Sequence, residues 1–156
     1  MLNERNATLV IAGEFWKDKT DYLEQIRRLG IEDRVRIHDR YVPHEELPTY
    51  FGAADLVVQP YLSASGSGVC QLACGFNRPV IATRVGSLPE VIEDGENGRL
   101  VPPGDIRGLA SAIIQSLGPE NLRSLSEGAS RTPRKFGWDG MVSLLLGQKA
   151  SGSEAR

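Results

Sequence analysis

Five short apolar runs, separated by turns and amphipathic segments, set the strongest limit on what this chain can fold into. The first spans residues 8–12 (Thr8, Leu9, Val10, Ile11, Ala12) and stops at Gly13. It is rich in β-branched residues and does not alternate with polar ones, which predicts a buried parallel strand. The others are 35–38, 56–58, 79–83 and 99–101. Between them the apolar period changes from continuous to helical. Tyr22, Leu23, Ile26 and Leu29 form one stripe over 20–29, and Gly30 is a natural C-terminal stop. Pro43 opens a short helix carrying Leu47, Tyr50 and Phe51, with Pro48 in its first turn. Further helices are predicted over 69–76, 106–117 and, more weakly, 121–129. A turn and short helix cover 86–92, and Asp94-Gly95 and Asn97-Gly98 read as tight turns. Strands alternating with helices specify an α/β fold, a Rossmann-like parallel sheet with flanking helices. A domain over 1–147 with a disordered polar tail over 148–156 is expected.

Composition removes several classes of function. The chain has 156 residues, with 18 basic and 20 acidic side chains for a formal charge of −2. With no basic tract, it offers no footprint for a nucleic acid held by its phosphates. No apolar run approaches the roughly 20 residues of a membrane-spanning helix. The first residues lack the apolar stretch of a signal peptide, so a cytoplasmic setting is expected. Cys70 and Cys74 sit four apart in a predicted helix. With no neighbouring cation to lower a thiol pKa, they read as packing residues rather than nucleophiles. His38 and His44 are the only histidines, too few and too poorly spaced for a metal site. No metal and no cofactor are expected.

In parallel sheets, ligands gather at the carboxyl ends of the strands. The segment Ser63-Ala64-Ser65-Gly66-Ser67-Gly68 follows one strand and opens a helix at Val69. Its small residues allow a ligand close to the backbone. The first amides of the following helix lack internal partners, and its dipole favours an anion there. A diphosphate cradle is one reading, an empty flexible loop the other. Gly86 follows the next strand, with Glu90 four residues later. This turn is expected to face the same cleft, where Glu90 either accepts from sugar hydroxyls or caps backbone amides. Lys17 follows the first strand and reads as a solvent-exposed residue within possible reach of a phosphate.

Val58-Gln59-Pro60-Tyr61, Gly68-Val69-Cys70-Gln71-Leu72-Ala73, Arg78-Pro79-Val80-Ile81-Ala82-Thr83, Gly86-Ser87-Leu88-Pro89-Glu90-Val91-Ile92 and the run from Asp94 to Pro102 occur in fixed order. This ordered series, with Asp33-Arg34-Val35, Tyr41-Val42-Pro43, Tyr50-Phe51 and Asp55 upstream, resembles the signature of the group 1 glycosyltransferases. These are retaining enzymes of the GT-B fold, and the resemblance covers about residues 8–118. It implies that this chain is the C-terminal, donor-binding half, with an N-terminal acceptor-binding domain outside it. Any membrane contact would fall to that other domain. It further implies a UDP- or GDP-sugar donor, transfer with retention and no bound metal. The donor-binding residues expected from loop and resemblance together are Ser65, Gly66, Ser67, Gly68, Val69, Gln71, Gly86 and Glu90. Tyr41 is a candidate near the base. No catalytic residue is assigned.

Two departures stand out. The family has a pair of carboxylates across this loop and helix, at positions held here by Ala64 and Leu72. Gln71, adjacent to Leu72, is the substitute candidate for a ribose contact. The family's domain also begins with a strand and a basic turn that nothing in residues 1–8 matches. A domain lacking its first, central strand is therefore expected, with exposed sheet edges and a tendency to aggregate. The alternative function is a non-catalytic nucleotide-sugar-binding module or inactive fragment. A third, an epimerase of the same fold, needs acid and base residues that the chain does not display. Phe136-Gly137-Trp138-Asp139 resembles the start of the family's final helix.

Overall fold

A computed structural model describes residues 7–135. Residues 1–6 and the expectations for 136–156, including the Trp138 segment and the polar tail, lie outside them. The chain forms two compact units, Met1–Tyr50 and Phe51–Arg156.

In the first unit, β1 (Leu9–Ala12) pairs in parallel with β2 (Val35–His38), Leu9 opposite Val35 and Ala12 opposite His38. The connecting helix α1 (Thr20–Leu29) ends as its sequence requires: Gly30 takes φ +62° and its N–H bonds back to Arg27 O. Only a residue without a Cβ enters that left-handed region cheaply. Single turns of 3-10 helix at Glu32–Arg34 and His44–Glu46 flank β2. The expectation of a buried first strand fails here. Leu9 is 40% and Val10 50% exposed. The ladder is parallel as expected, but β1 has a strand on one side only among the described residues. Two strands and one helix cannot close around an apolar strand. Even over β2 the packing is open, with a groove of about 240 Å³ bounded by Leu23, Ile26, Val35 and Ile37.

The second unit is built differently. The β3 strand (Val57–Gln59) pairs in parallel with β4 (Val80–Thr83), which pairs in parallel with β5 (Gly98–Val101). Central β4 is sealed on both faces, Val80, Ile81 and Ala82 being fully buried. A continuous apolar run between two neighbours is what a central parallel strand requires. Helix α2 (Leu47–Ala53) leads toward β3, and α3 (Gly68–Gly75), α4 (Leu88–Val91), α5 (Ile106–Ser116) and α6 (Pro119–Lys135) follow. Asp105 caps α5 by accepting from the Gly108 N–H at 2.8 Å.

Two sequence readings change in this unit. The weak helix over 121–129 is longer, running from Pro119 to Lys135. A Cβ at Gly128 would lie 1.9 Å from the Glu96 carbonyl oxygen, so a glycine at this position lets α6 touch the turn before β5. Asn97-Gly98 is not a separate tight turn, because Gly98 already belongs to β5. Asn97 is buried, donating from Nδ2 to Val91 O and Thr132 Oγ1 and accepting from the Glu93 N–H. Among the described residues β1 and β3 each carry a ladder on one side only. No helix among the described residues is long and apolar enough to cross a membrane.

Candidate functional site

The carboxyl ends of β3 and β4 carry the two loops singled out by the sequence, and they interlock. The Ser87 N–H donates to Ser65 O at 3.1 Å. Gly86 has φ +53°, and a Cβ there would lie 2.0 Å from Ala64 O and 2.9 Å from Ser65 O. Only glycine permits that backbone-on-backbone approach. Gly66 stands against Ser87 in turn, an added Cβ falling 2.9 Å from Ser87 Oγ. Thr83, buried at the end of β4, donates from Oγ1 to Tyr61 O at 2.5 Å. The small-residue loop is thus held by the turn at Gly86 and Ser87, and the chain entering it is held at Tyr61 by the Thr83 hydroxyl.

The loop delivers the chain to the N-terminus of α3. Ser67 occupies the cap position in extended conformation, but its hydroxyl does not cap the helix. The first amides of an α-helix have no intrahelical carbonyl partners, and here no cap side chain takes one. This end of α3 therefore presents donors and the positive end of a dipole beside an exposed loop. Ser67 Oγ is instead engaged from below, accepting from Gln59 Nε2 at 3.0 Å. Gln59 is 97% buried, its exposure being 3%, and its Oε1 has no partner among the described residues. An unpaired buried acceptor costs about 1–3 kcal/mol, so Gln59 is no packing choice.

Of the expected donor-binding residues, the structure brings Ser65, Gly66, Ser67, Gly68 and Gly86 together where the two loops meet. Val69 and Gln71 follow on exposed positions of α3, with Val69 43% exposed. Glu90 is exposed on α4 and its side chain makes no hydrogen bond or ion pair among the described residues, which leaves its oxygens unused and removes the capping alternative. Leu72, where the family carries a carboxylate, is exposed. Tyr41 belongs to the first unit, exposed, its carbonyl accepting from Arg40. Sequence reasoning missed Gln59, Thr83 and Ser87 as site residues. The available signal was a glutamine closing an otherwise apolar strand directly before Pro60.

Other reactive side chains have structural partners. Cys70 and Cys74 are free and buried in α3. A hydrogen bond to Cys74, with burial, pushes the Cys70 thiol up, so it stays protonated. His38 Nδ1 lies 2.8 Å from Tyr50 Oη. Among the described residues no group of three or more His, Cys, Asp or Glu side chains converges.

Comparison with known proteins gives a consistent result. The sequence profile of the family described as "Glycosyl transferases group 1" matches residues 1–118. The D-inositol 3-phosphate glycosyltransferase 2 of Catenulispora acidiphila is 34% identical over 144 residues, covering 86% of this chain and 33% of that protein. The chain thus spans about a third of the length of this curated relative. Among solved structures, the sucrose-phosphate synthase of Thermosynechococcus elongatus superposes with a TM-score of 0.74 at 29% identity, over 90% of this chain and 36% of that one. HepE of Anabaena in complex with UDP-glucose gives 0.75 at 25% identity, over 90% of this chain and 40% of that one.

Proposed function

The chain belongs to the group 1 glycosyl transferases, and from that premise we propose that it is the donor-binding part of a glycosyltransferase, taking a nucleoside diphosphate sugar at the N-terminal end of α3, on the surface formed by the 63–68 loop and the turn at Gly86. The observation that carries this reading is the uncapped N-terminus of α3, reached through a small-residue loop that Gly86 locks in place. A diphosphate seated there meets backbone amides and a helix dipole without displacing a side chain. As the glycosidic bond to the donor breaks, negative charge builds on the diphosphate. Fixed amides stabilise that charge more than the ground state, which lowers the barrier. Glu90, with both oxygens unused, accepts from hydroxyls of the transferred sugar, and Gln71 from the exposed side of α3 serves the ribose. UDP is the favoured nucleotide because a solved relative holds UDP-glucose; GDP is the alternative. Transfer proceeds with retention and without a metal, to an acceptor held by an N-terminal domain.

Titration calorimetry of the 156-residue chain with UDP-glucose, UDP and GDP-mannose tests the reading. Saturable heat with one nucleotide series is expected, and no heat at millimolar ligand overturns it. A second reading, a binding module without catalysis, is favoured by one observation: Ala64 and Leu72 place no carboxylate where the family has two. Joined to an acceptor domain, a catalytic chain releases UDP from UDP-sugar in the presence of acceptor. A binding module gives heat but no UDP.

A further inference from the structure

Gln59 has no role in the reading above, yet it is the most unusual polar residue of the second unit. It is 97% buried, the complement of its 3% exposure, at the end of β3, and it spends its one buried donor contact on Ser67 Oγ at 3.0 Å. A hydroxyl carries one donor and two acceptor sites. With Nε2 filling an acceptor site and no described residue taking the Ser67 proton, that proton is left for something outside the chain. The opposite amide orientation would draw the Ser67 proton inward onto Oε1. It would then turn a lone pair outward, toward the same place that the α3 dipole makes favourable for an anion. Resting on the donor-site reading, we propose that Gln59 is the positioning residue of this pocket, orienting the Ser67 hydroxyl so that it donates to a diphosphate oxygen. The unpaired Oε1 follows from this: the side chain is kept for the direction of one hydroxyl, not for its own satisfaction.

The test is a double-substitution cycle on the full chain, read by UDP titration and by thermal unfolding. Ser67→Ala removes the hydroxyl and is expected to weaken UDP binding about tenfold, the value of one charge-assisted hydrogen bond. Gln59→Met keeps the volume, removes the amide, and is expected to weaken binding by about threefold to tenfold while Tm holds or rises, since an unpaired buried acceptor has gone. Gln59→Glu, an acceptor beneath the cradle, is expected to weaken it more than tenfold. In the Ser67→Ala background, Gln59→Met is expected to add nothing. Equal weakening in both backgrounds, or a Gln59→Met chain that melts lower or fails to fold, makes Gln59 a structural prop and overturns the proposal. UDP binding that both substitutions leave unchanged overturns it too and leaves the donor site standing elsewhere on the second unit. Absence of any saturable UDP binding by the wild type overturns the donor-site reading and this proposal together.

Discussion

The apolar strands β1 and β4 read almost alike in sequence, Leu-Val-Ile-Ala against Val-Ile-Ala-Thr, and end in opposite environments. β4 lies between two strands and is buried along its whole length, whereas β1 has one neighbour and Val10 is half exposed. Burial is therefore decided by how many elements a unit supplies around a strand, which local pattern does not encode. The two units are held differently as a result. The second rests on a sealed apolar core. In the first, Val35 is the one buried apolar residue among those described, and the ion pairs that join its segments are solvent-exposed. Lys19 pairs with Asp39 at 2.5 Å, Asp39 also accepts from the Phe15 N–H, and Arg40 pairs with Glu46.

The largest test of this contrast is truncation of matching residues. Ile81→Ala is expected to cost about 3–5 kcal/mol in urea unfolding, and Val10→Ala under about 0.5 kcal/mol. Equal costs would break the comparison. Next come two glycines with positive φ. Gly86→Ala adds a collision with Ala64 O to backbone strain, for at least about 3 kcal/mol, and weakens UDP binding. Gly13→Ala, at φ +135° with nothing within 4 Å, carries strain alone, about 1–2 kcal/mol, and leaves UDP affinity unchanged. Amide exchange sharpens the contrast without substitution: β4 amides are expected to exchange only on global unfolding, β1 amides by local opening.

The smallest effect is the pH response. Hydrogen bonds from Lys19 and the Phe15 N–H hold the Asp39 carboxyl below its ordinary value of 3.8. Bonds from Thr20 and Arg40 likewise depress Asp18 and Glu46. A carboxyl whose folded pKa is depressed stabilises the fold above the unfolded value and loses that contribution as pH falls through the folded one. Acidification from pH 5 to below 3.8 is therefore expected to shift the Phe15 amide resonance in the first unit while the β4 resonances stay in place. Asp39→Asn should flatten the response at Phe15.

Most of the element order was legible because its signals are local. Gly30 ended α1 at the predicted residue, and the strands fell within a residue or two of their apolar runs. The convergence of the 63–68 loop with Gly86 was also readable, since parallel topology puts both at one sheet edge. What the sequence could not display depends on distant partners. The exposure of Leu9 goes with the single ladder partner of β1. The contact of α6 at Gly128 with Glu96, and the hydrogen bond of Gln59 to Ser67, join residues that lie apart in sequence.

Asn97 carries a consequence for how long this chain lasts as a molecule. Asparagine before glycine is the dipeptide most prone to lose ammonia, because the following backbone nitrogen can attack the side-chain carbonyl and close a succinimide ring. Here Oδ1 is held by the Glu93 N–H, Nδ2 by Val91 O and Thr132 Oγ1, and Gly98 is fixed in the β5 ladder. None of these groups is free to rotate into the ring-closing geometry. Folding thus protects Asn97 from this side reaction, and each excursion to the unfolded state starts a chemical clock that the folded state stops.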